Sequence, residues 1–218
     1  MILSRGRKYI FIHIPKTGGT ALTSALEARA MKDDILVGDT PKARNRHKRQ
    51  KDLPSAGRLW KHSTLKDIYG LVDQTEVEQF FVTTIVRNPW DRVVSYYHWL
   101  GEQSFDHPAV QLAKSCDFSA FLKHQSTQSA LTSSPYRSYV TDRTGVQRCR
   151  KFLRLENLQE DLQDFEEHLG FQFGDIPIVN ASKRQSKYQN YYSEEDKRIV
   201  ANCCHVDIEQ FGYSFNQN

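Results

Sequence analysis

Lys16 stands between Pro15 and Thr17 and is followed by Gly18, Gly19 and Thr20. One ammonium group, two hydroxyls and two residues without side chains, in that order, suit the binding of a phosphate-like anion. Glycines let backbone N–H groups approach the anion, the lysine supplies a full charge, and Thr17 and Thr20 supply hydroxyl donors. The preceding run Ile10-Phe11-Ile12-His13-Ile14 reads as a buried strand, and a helix follows from Ala21. The glycine turn therefore falls at a helix start, where unpaired N–H groups and the helix dipole favour negative charge. The turn is not a nucleotide P-loop. In that pattern the lysine follows the second glycine, and here it precedes both.

A second strand-to-helix junction lies at residues 80–100. Phe80 to Val86 is a β-branched and aromatic run of interior-strand length. Asn88 is suited to cap the next helix and Pro89 to be its first residue, where a missing N–H costs nothing. Trp90, Val93, Val94, Tyr97 and Leu100 share one stripe, expected to pack on the sheet, while Asp91, Arg92, Ser95 and Trp99 fall elsewhere. Arg87 at the strand end and Ser95 two turns into the helix are candidates for a second anion.

Together the two segments resemble the sulfotransferases that use 3′-phosphoadenosine 5′-phosphosulfate (PAPS). Pro15-Lys16-Thr17-Gly18-Gly19-Thr20 is similar to that family's 5′-phosphosulfate loop, and Arg87 to Tyr97 to its 3′-phosphate motif. The stretches Phe152–Leu158, Asn180–Arg184, Tyr188–Tyr192 and Asp207–Tyr213 resemble the branch containing carbohydrate O-sulfotransferases and compact bacterial relatives. The resemblance implies an α/β fold with a P-loop NTPase-like central parallel sheet flanked by helices. It also implies sulfuryl transfer from PAPS, as co-substrate, to a hydroxyl of a carbohydrate or other small acceptor, with no metal. Such an in-line transfer needs positive charge at the leaving phosphate and a base for the acceptor's proton.

On this reading Lys16 serves the leaving oxygen and Thr17, Gly18, Gly19 and Thr20 hold the 5′-phosphate. Arg87 and Ser95 hold the 3′-phosphate, and Ser182, Lys183 and Arg184 belong to a late loop over the cofactor. His62, between the two motifs, resembles the histidine that glycan O-sulfotransferases place at the acceptor, and imidazole titrates near neutrality. His13 reads as a structural histidine of the first strand and His98 as a weaker candidate base. Tyr188, Tyr191 and Tyr192 read as core. Two other readings share the anion nest: a nucleotide-dependent kinase, disfavoured by the missing Walker lysine and magnesium aspartate, and a non-catalytic anion-binding module.

The remaining composition narrows the class. The 218 residues suit one soluble domain and carry a formal charge of +4, too mild to indicate nucleic acid. No apolar run is long enough to span a bilayer, and the first strand opens by about Tyr9, so the expectation is a cytoplasmic chain with no membrane contact. Cys116, Cys149, Cys203 and Cys204 lack metal-ligand spacing and read as free thiols.

Punctuation predicts strands at Tyr9–Ile14, Ile35–Val37, Phe80–Val86 and Lys151–Leu155, and helices at Ala21–Met31, from His62 to Tyr69 and at Phe118–His124. A capping box at Asn157 and Glu160 predicts a helix through Leu169, and Ser193 opens a last helix ending near Phe211-Gly212. Residues 38–58, including the basic run 42–51, read as exposed loop.

Overall fold

A computed structural model describes residues 1–176 and 187–216. In chain order the elements are β1 (Ile2–Ser4), β2 (Tyr9–Ile12), α1 (Thr20–Ala28), β3 (Ile35–Leu36), α2 (Pro41–Gln50), α3 (Gln74–Gln79), β4 (Phe81–Val86) and α4 (Pro89–Gly101). There follow α5 (Pro108–Ser115), α6 (Phe118–Lys123), α7 (Gln125–Ser133), α8 (Tyr136–Tyr139), β5 (Cys149–Arg154), α9 (Leu158–Asp161), α10 (Gln163–Leu169), α11 (Glu194–Cys203) and α12 (His205–Phe211). They divide into two compact units, residues 1–86 with 136–179 and residues 87–135 with 180–218.

The first unit is built on a five-stranded sheet in the order β3-β1-β2-β4-β5. Its centre is parallel, as expected: β2 pairs with β4 and β4 with β5, with Ile12 opposite Thr84 and Thr84 opposite Phe152. The other side is antiparallel, because β1 and β2 form a hairpin and β3 adds to β1. Alternation along each strand sends side chains to opposite faces. Tyr9, Phe11, Phe81, Ile85 and Leu153 join a cluster with Leu22 and Leu26 of α1, Ala43 of α2 and Phe165 of α10. Ile10, Ile12 and Val82 join a second cluster with Leu65, Ile68, Val77 and Val140. Both faces are covered, which is why the strands read as continuous apolar runs. Two buried β4 hydroxyls stitch the sheet: Thr83 Oγ1 donates to the Lys151 carbonyl and Thr84 Oγ1 to that of Ile12, each at 2.7 Å.

In the second unit α4 begins as its sequence predicts, with Pro89 first and the Asn88 side chain accepting from Trp90 N at 3.1 Å. Trp90, Val93, Val94 and Leu100 are buried, and Leu100 packs with Val110, Ala113 and Phe121 of α5 and α6. The Tyr188 hydroxyl donates to the Phe215 carbonyl at 2.6 Å and the Tyr192 hydroxyl to that of Trp90 at 2.7 Å. Tyr188 is core, as read, whereas Tyr191 and Tyr192 are half-buried. Ser193 forms a reciprocal capping box with Asp196 at the head of α11, and Gly212, at φ +65°, ends α12.

Several expectations are corrected. Residues 41–50 are helical rather than loop: Thr40 caps α2 through Ala43 N, Pro41 is its first residue, and Ala43 alone among its residues is buried. In place of an apolar stripe, long cations tie the helix down, with Arg46 donating to the carbonyls of Asp34 and Met31 and Arg49 to that of Lys32. Residues 61–70 form turns instead of a helix, because Asp67 Oδ2 accepts both the N–H (2.7 Å) and the hydroxyl (2.9 Å) of Thr64. Asn157 makes no side-chain cap, and α9 and α10 are separate short helices. The last helix is likewise two, α11 and α12, meeting at Cys204. Helices α5, α7 and α8 were not anticipated. His107 and His124 cap the first two, and a histidine N-cap is a weak sequence signal.

Candidate functional site

The loop between β2 and α1 has the conformation that its composition suggests. Lys16 has φ +65° and Gly18 φ +83°, while Gly19 returns to φ −64°, ψ −6°. Successive left- and right-handed residues turn their N–H groups toward one side, which is the geometry of an anion nest. Lys16 holds a left-handed backbone despite its side chain, a strain of roughly 1–2 kcal/mol of the kind concentrated at functional sites. Gly19 is the N-cap of α1, and no side chain caps that helix. The first helical bond runs from Thr23 N to Gly19 O at 2.9 Å, so the N–H groups of the first turn precede the hydrogen-bond ladder.

Gly18 is required by φ and by contact, and Gly19 by contact alone. A Cβ on Gly18 would stand 2.7 Å from a Leu155 methyl, and one on Gly19 would stand 2.8 Å from His13 Cδ2. Leu155 follows the end of β5, so that strand's end packs beside the loop. The neighbouring Arg154 is fixed by Asp161, with Nε and a terminal nitrogen each 2.8 Å from a carboxylate oxygen. Thr17 is fully buried, and its hydroxyl donates to the Ile14 carbonyl at 3.0 Å. That donor serves the loop's own shape. Thr20, half-buried, opens α1.

His62 lies beside the same loop. Its Nδ1 is 2.7 Å from the His13 carbonyl oxygen, which can only accept, so Nδ1 carries the proton and Nε2 the lone pair. Its ring stands edge-on to those of His13 and Trp60, each with centroids 5.0 Å away. Burial, reinforced by the charge of Lys61, lowers its pKa to about 4 against the hydrogen bond it donates to the His13 carbonyl, so the imidazole is neutral at physiological pH. A backbone carbonyl holds the ring, and the nearby carboxylate of Asp67 is bound to Thr64.

In the second unit, Arg87 Nε donates to Asp91 Oδ2 at 2.8 Å, and a terminal nitrogen reaches the same oxygen. Asp91 lies four residues before Ser95, so the two share one stripe of α4. Ser95 is buried on that stripe, and the guanidinium is held at its N-terminal end. Asp91, which orients Arg87, is a contributor that sequence reading passed over, although the i, i+4 spacing from Arg87 was visible. Ser182, Lys183 and Arg184 lie outside the described residues.

Among the described residues no group of three or more His, Cys, Asp or Glu side chains is placed to hold a metal ion. No described helix is long and apolar enough to cross a membrane. All four cysteines are unbridged.

Comparison with known proteins gives one family-level result. The profile described as the sulfotransferase family matches residues 1–214. No curated protein matches the chain. Among solved structures, a mouse sulfotransferase, SULT7A1 complexed with PAP, superposes with a TM-score of 0.45 at 14% identity, covering 92% of this chain and 82% of that one.

Proposed function

The chain belongs to the sulfotransferase family, and from that premise we propose that it transfers a sulfuryl group from PAPS to a carbohydrate hydroxyl. The acceptor oxygen attacks sulfur in line, and the bond from sulfur to the bridging oxygen breaks. The electron pair stays on the 5′-phosphate, which leaves as adenosine 3′,5′-bisphosphate. The acceptor's proton passes to His62 Nε2.

The roles of Lys16, His62, Arg87 and Ser95 draw on the geometry above, and that of Ser182, Lys183 and Arg184 on the resemblance in sequence. The Lys16 ammonium and the first N–H groups of α1 stabilise charge growing on the leaving phosphate, where preorganised donors matter most. Arg87, steadied by Asp91, takes the 3′-phosphate with Ser95, and the late loop Ser182-Lys183-Arg184 closes over the donor. The observation that carries the reading is the uncapped start of α1, beside a lysine with φ +65° and a histidine whose free lone pair is on Nε2. A bound donor brings negative charge beside His62 and raises its affinity for a proton, which strengthens it as a base.

In this reading the chain works as one cytoplasmic sulfotransferase domain without a metal, a nucleic-acid partner or a membrane surface. Four unbridged thiols are in keeping with a reducing compartment. Two measurements test it. Adenosine 3′,5′-bisphosphate should raise the unfolding temperature while ATP with magnesium does not, and labelled sulfate should pass from PAPS to members of a carbohydrate acceptor panel. Stabilisation by ATP with magnesium alone would favour a kinase. Binding of the bisphosphate without transfer to any acceptor would leave a binding module.

A further inference from the structure

His13 is 4% exposed, and its Nδ1 is sealed from solvent with no hydrogen-bond partner. The other edge of the ring lies against the N-cap of α1, where a Cβ on Gly19 would stand 2.8 Å from Cδ2 and 2.9 Å from Nε2. Glycine at the N-cap is therefore what admits the imidazole. An ordinary N-cap side chain would supply a hydrogen-bonding atom there, and α1 has none.

The position of the ring selects its protonation. A proton on Nδ1 would be a buried donor without an acceptor, among the costlier ways to leave a polar atom. An imidazolium would add a charge to the same defect, near the cations of Lys16 and Lys61. Burial and then His62, together with those lysines, hold the pKa well below its usual value. The neutral form with its proton on Nε2 leaves only a lone pair unsatisfied and places the single N–H beside Gly19.

We propose that His13 is a binding residue of the anion nest: a neutral imidazole whose Nε2–H donates to the oxyanion seated at the start of α1. Resting on the functional reading above, that oxyanion is the 5′-phosphate of the nucleotide. His13 then has two duties. Its carbonyl sets the tautomer of the base His62, and its side chain grips the leaving group.

Protein labelled with 15N-histidine tests this directly, with His13→Gln used to assign the signal. Long-range 1H–15N correlation at neutral pH should show His13 protonated on Nε2 alone. The Nε2–H signal should move on saturation with adenosine 3′,5′-bisphosphate and stay in place with adenosine 3′-monophosphate. A proton on Nδ1, or no response to bound bisphosphate, would overturn the proposal. Glutamine can place an N–H near the position of Nε2, whereas asparagine mimics Nδ1. His13→Gln should therefore bind the bisphosphate within about threefold of wild type, and His13→Asn should bind ~10-fold or more weakly, as for loss of a hydrogen bond to a charged group. Affinity for the 3′-monophosphate should not separate the two variants. Equal losses in both, tracking a common drop in unfolding temperature, would reduce His13 to packing. Failure of the wild-type chain to bind the bisphosphate would defeat the functional reading instead, and inorganic sulfate would then replace the nucleotide in the same spectra, with an unmoved Nε2–H counting against His13.

Discussion

Gly18→Ala carries two penalties that can be measured apart. The first is conformational, because at φ +83° an L-residue sits in left-handed territory at a cost of roughly 1–2 kcal/mol. The second is steric. The new Cβ would stand 2.7 and 3.0 Å from the two Leu155 methyls and 3.4 Å from Cγ, so the whole branched end must move. Overpacking of this kind costs about 1–3 kcal/mol. The variant should lose about 2–5 kcal/mol, a large share of the stability of an ordinary domain. Leu155→Ala removes the obstacle and leaves the backbone strain in place. Urea unfolding of wild type, both single variants and the double variant isolates the steric part as a coupling energy, expected at about 1–3 kcal/mol in favour of the double variant. Strict additivity would refute the contact. Calorimetric titration of Gly18→Ala with adenosine 3′,5′-bisphosphate should show binding weakened ~10-fold or more as the N–H groups turn away, and unchanged affinity would remove the nest from the binding site.

Lys16→Ala should abolish sulfuryl transfer, since the leaving oxygen loses its charge partner; near-normal turnover from PAPS would refute that role. Arg87→Ala should weaken binding of the bisphosphate by about 1.5–3 kcal/mol, and Asp91→Asn should cause a smaller loss by releasing the guanidinium; unchanged calorimetric affinity in Arg87→Ala would refute the 3′-phosphate assignment. His62→Ala should cut turnover by ~10²–10⁴ while sparing bisphosphate binding, and retained turnover would place the base elsewhere. His62 also makes stability depend on pH. Its pKa is lowered on folding from 6.5 to about 4, so between these values the unfolded chain takes a proton that the folded chain refuses. Its contribution is complete above pH 6.5 and is lost as pH falls toward 4, by at most about 3 kcal/mol. Urea midpoints of wild type should therefore fall more steeply over that window than those of His62→Gln, and parallel curves would show that the imidazole is not held neutral.

Where local chemistry decides the structure, the chain was legible. Asn88-Pro89 marks the start of α4, Ser193 marks that of α11, and Gly18 and Gly19 mark the bend of the Lys16–Thr20 loop. Where distant partners decide, it was not. Helix α2 has one buried residue and is held by carbonyls from residues 31–34, so no periodicity announces it. Its short-range signal, Thr40 followed by Pro41, was present but lay inside a run of charge. Asn157 offered the form of a capping box, yet Asp161 four residues on is taken by Arg154. Strand β1 is three residues long and pairs only because the turn at Arg5–Lys8 folds it back on β2. At the site, His62 depends on a carbonyl 49 positions away, and the orphaned nitrogen of His13 exists only once the sheet has closed around it.

The fastening of α2 has a consequence for how this surface tolerates change over time. Lys42, Arg46 and Arg49 each donate to a main-chain oxygen of residues 27–34, whereas Arg44, His47, Lys48 and Lys51 are exposed to water. Drift toward neutral or acidic residues should therefore pass unnoticed at the second set. At the first, the same loss of charge would unpin a helix that has almost no grease of its own, so two arginines with one formal charge apiece face very different selection.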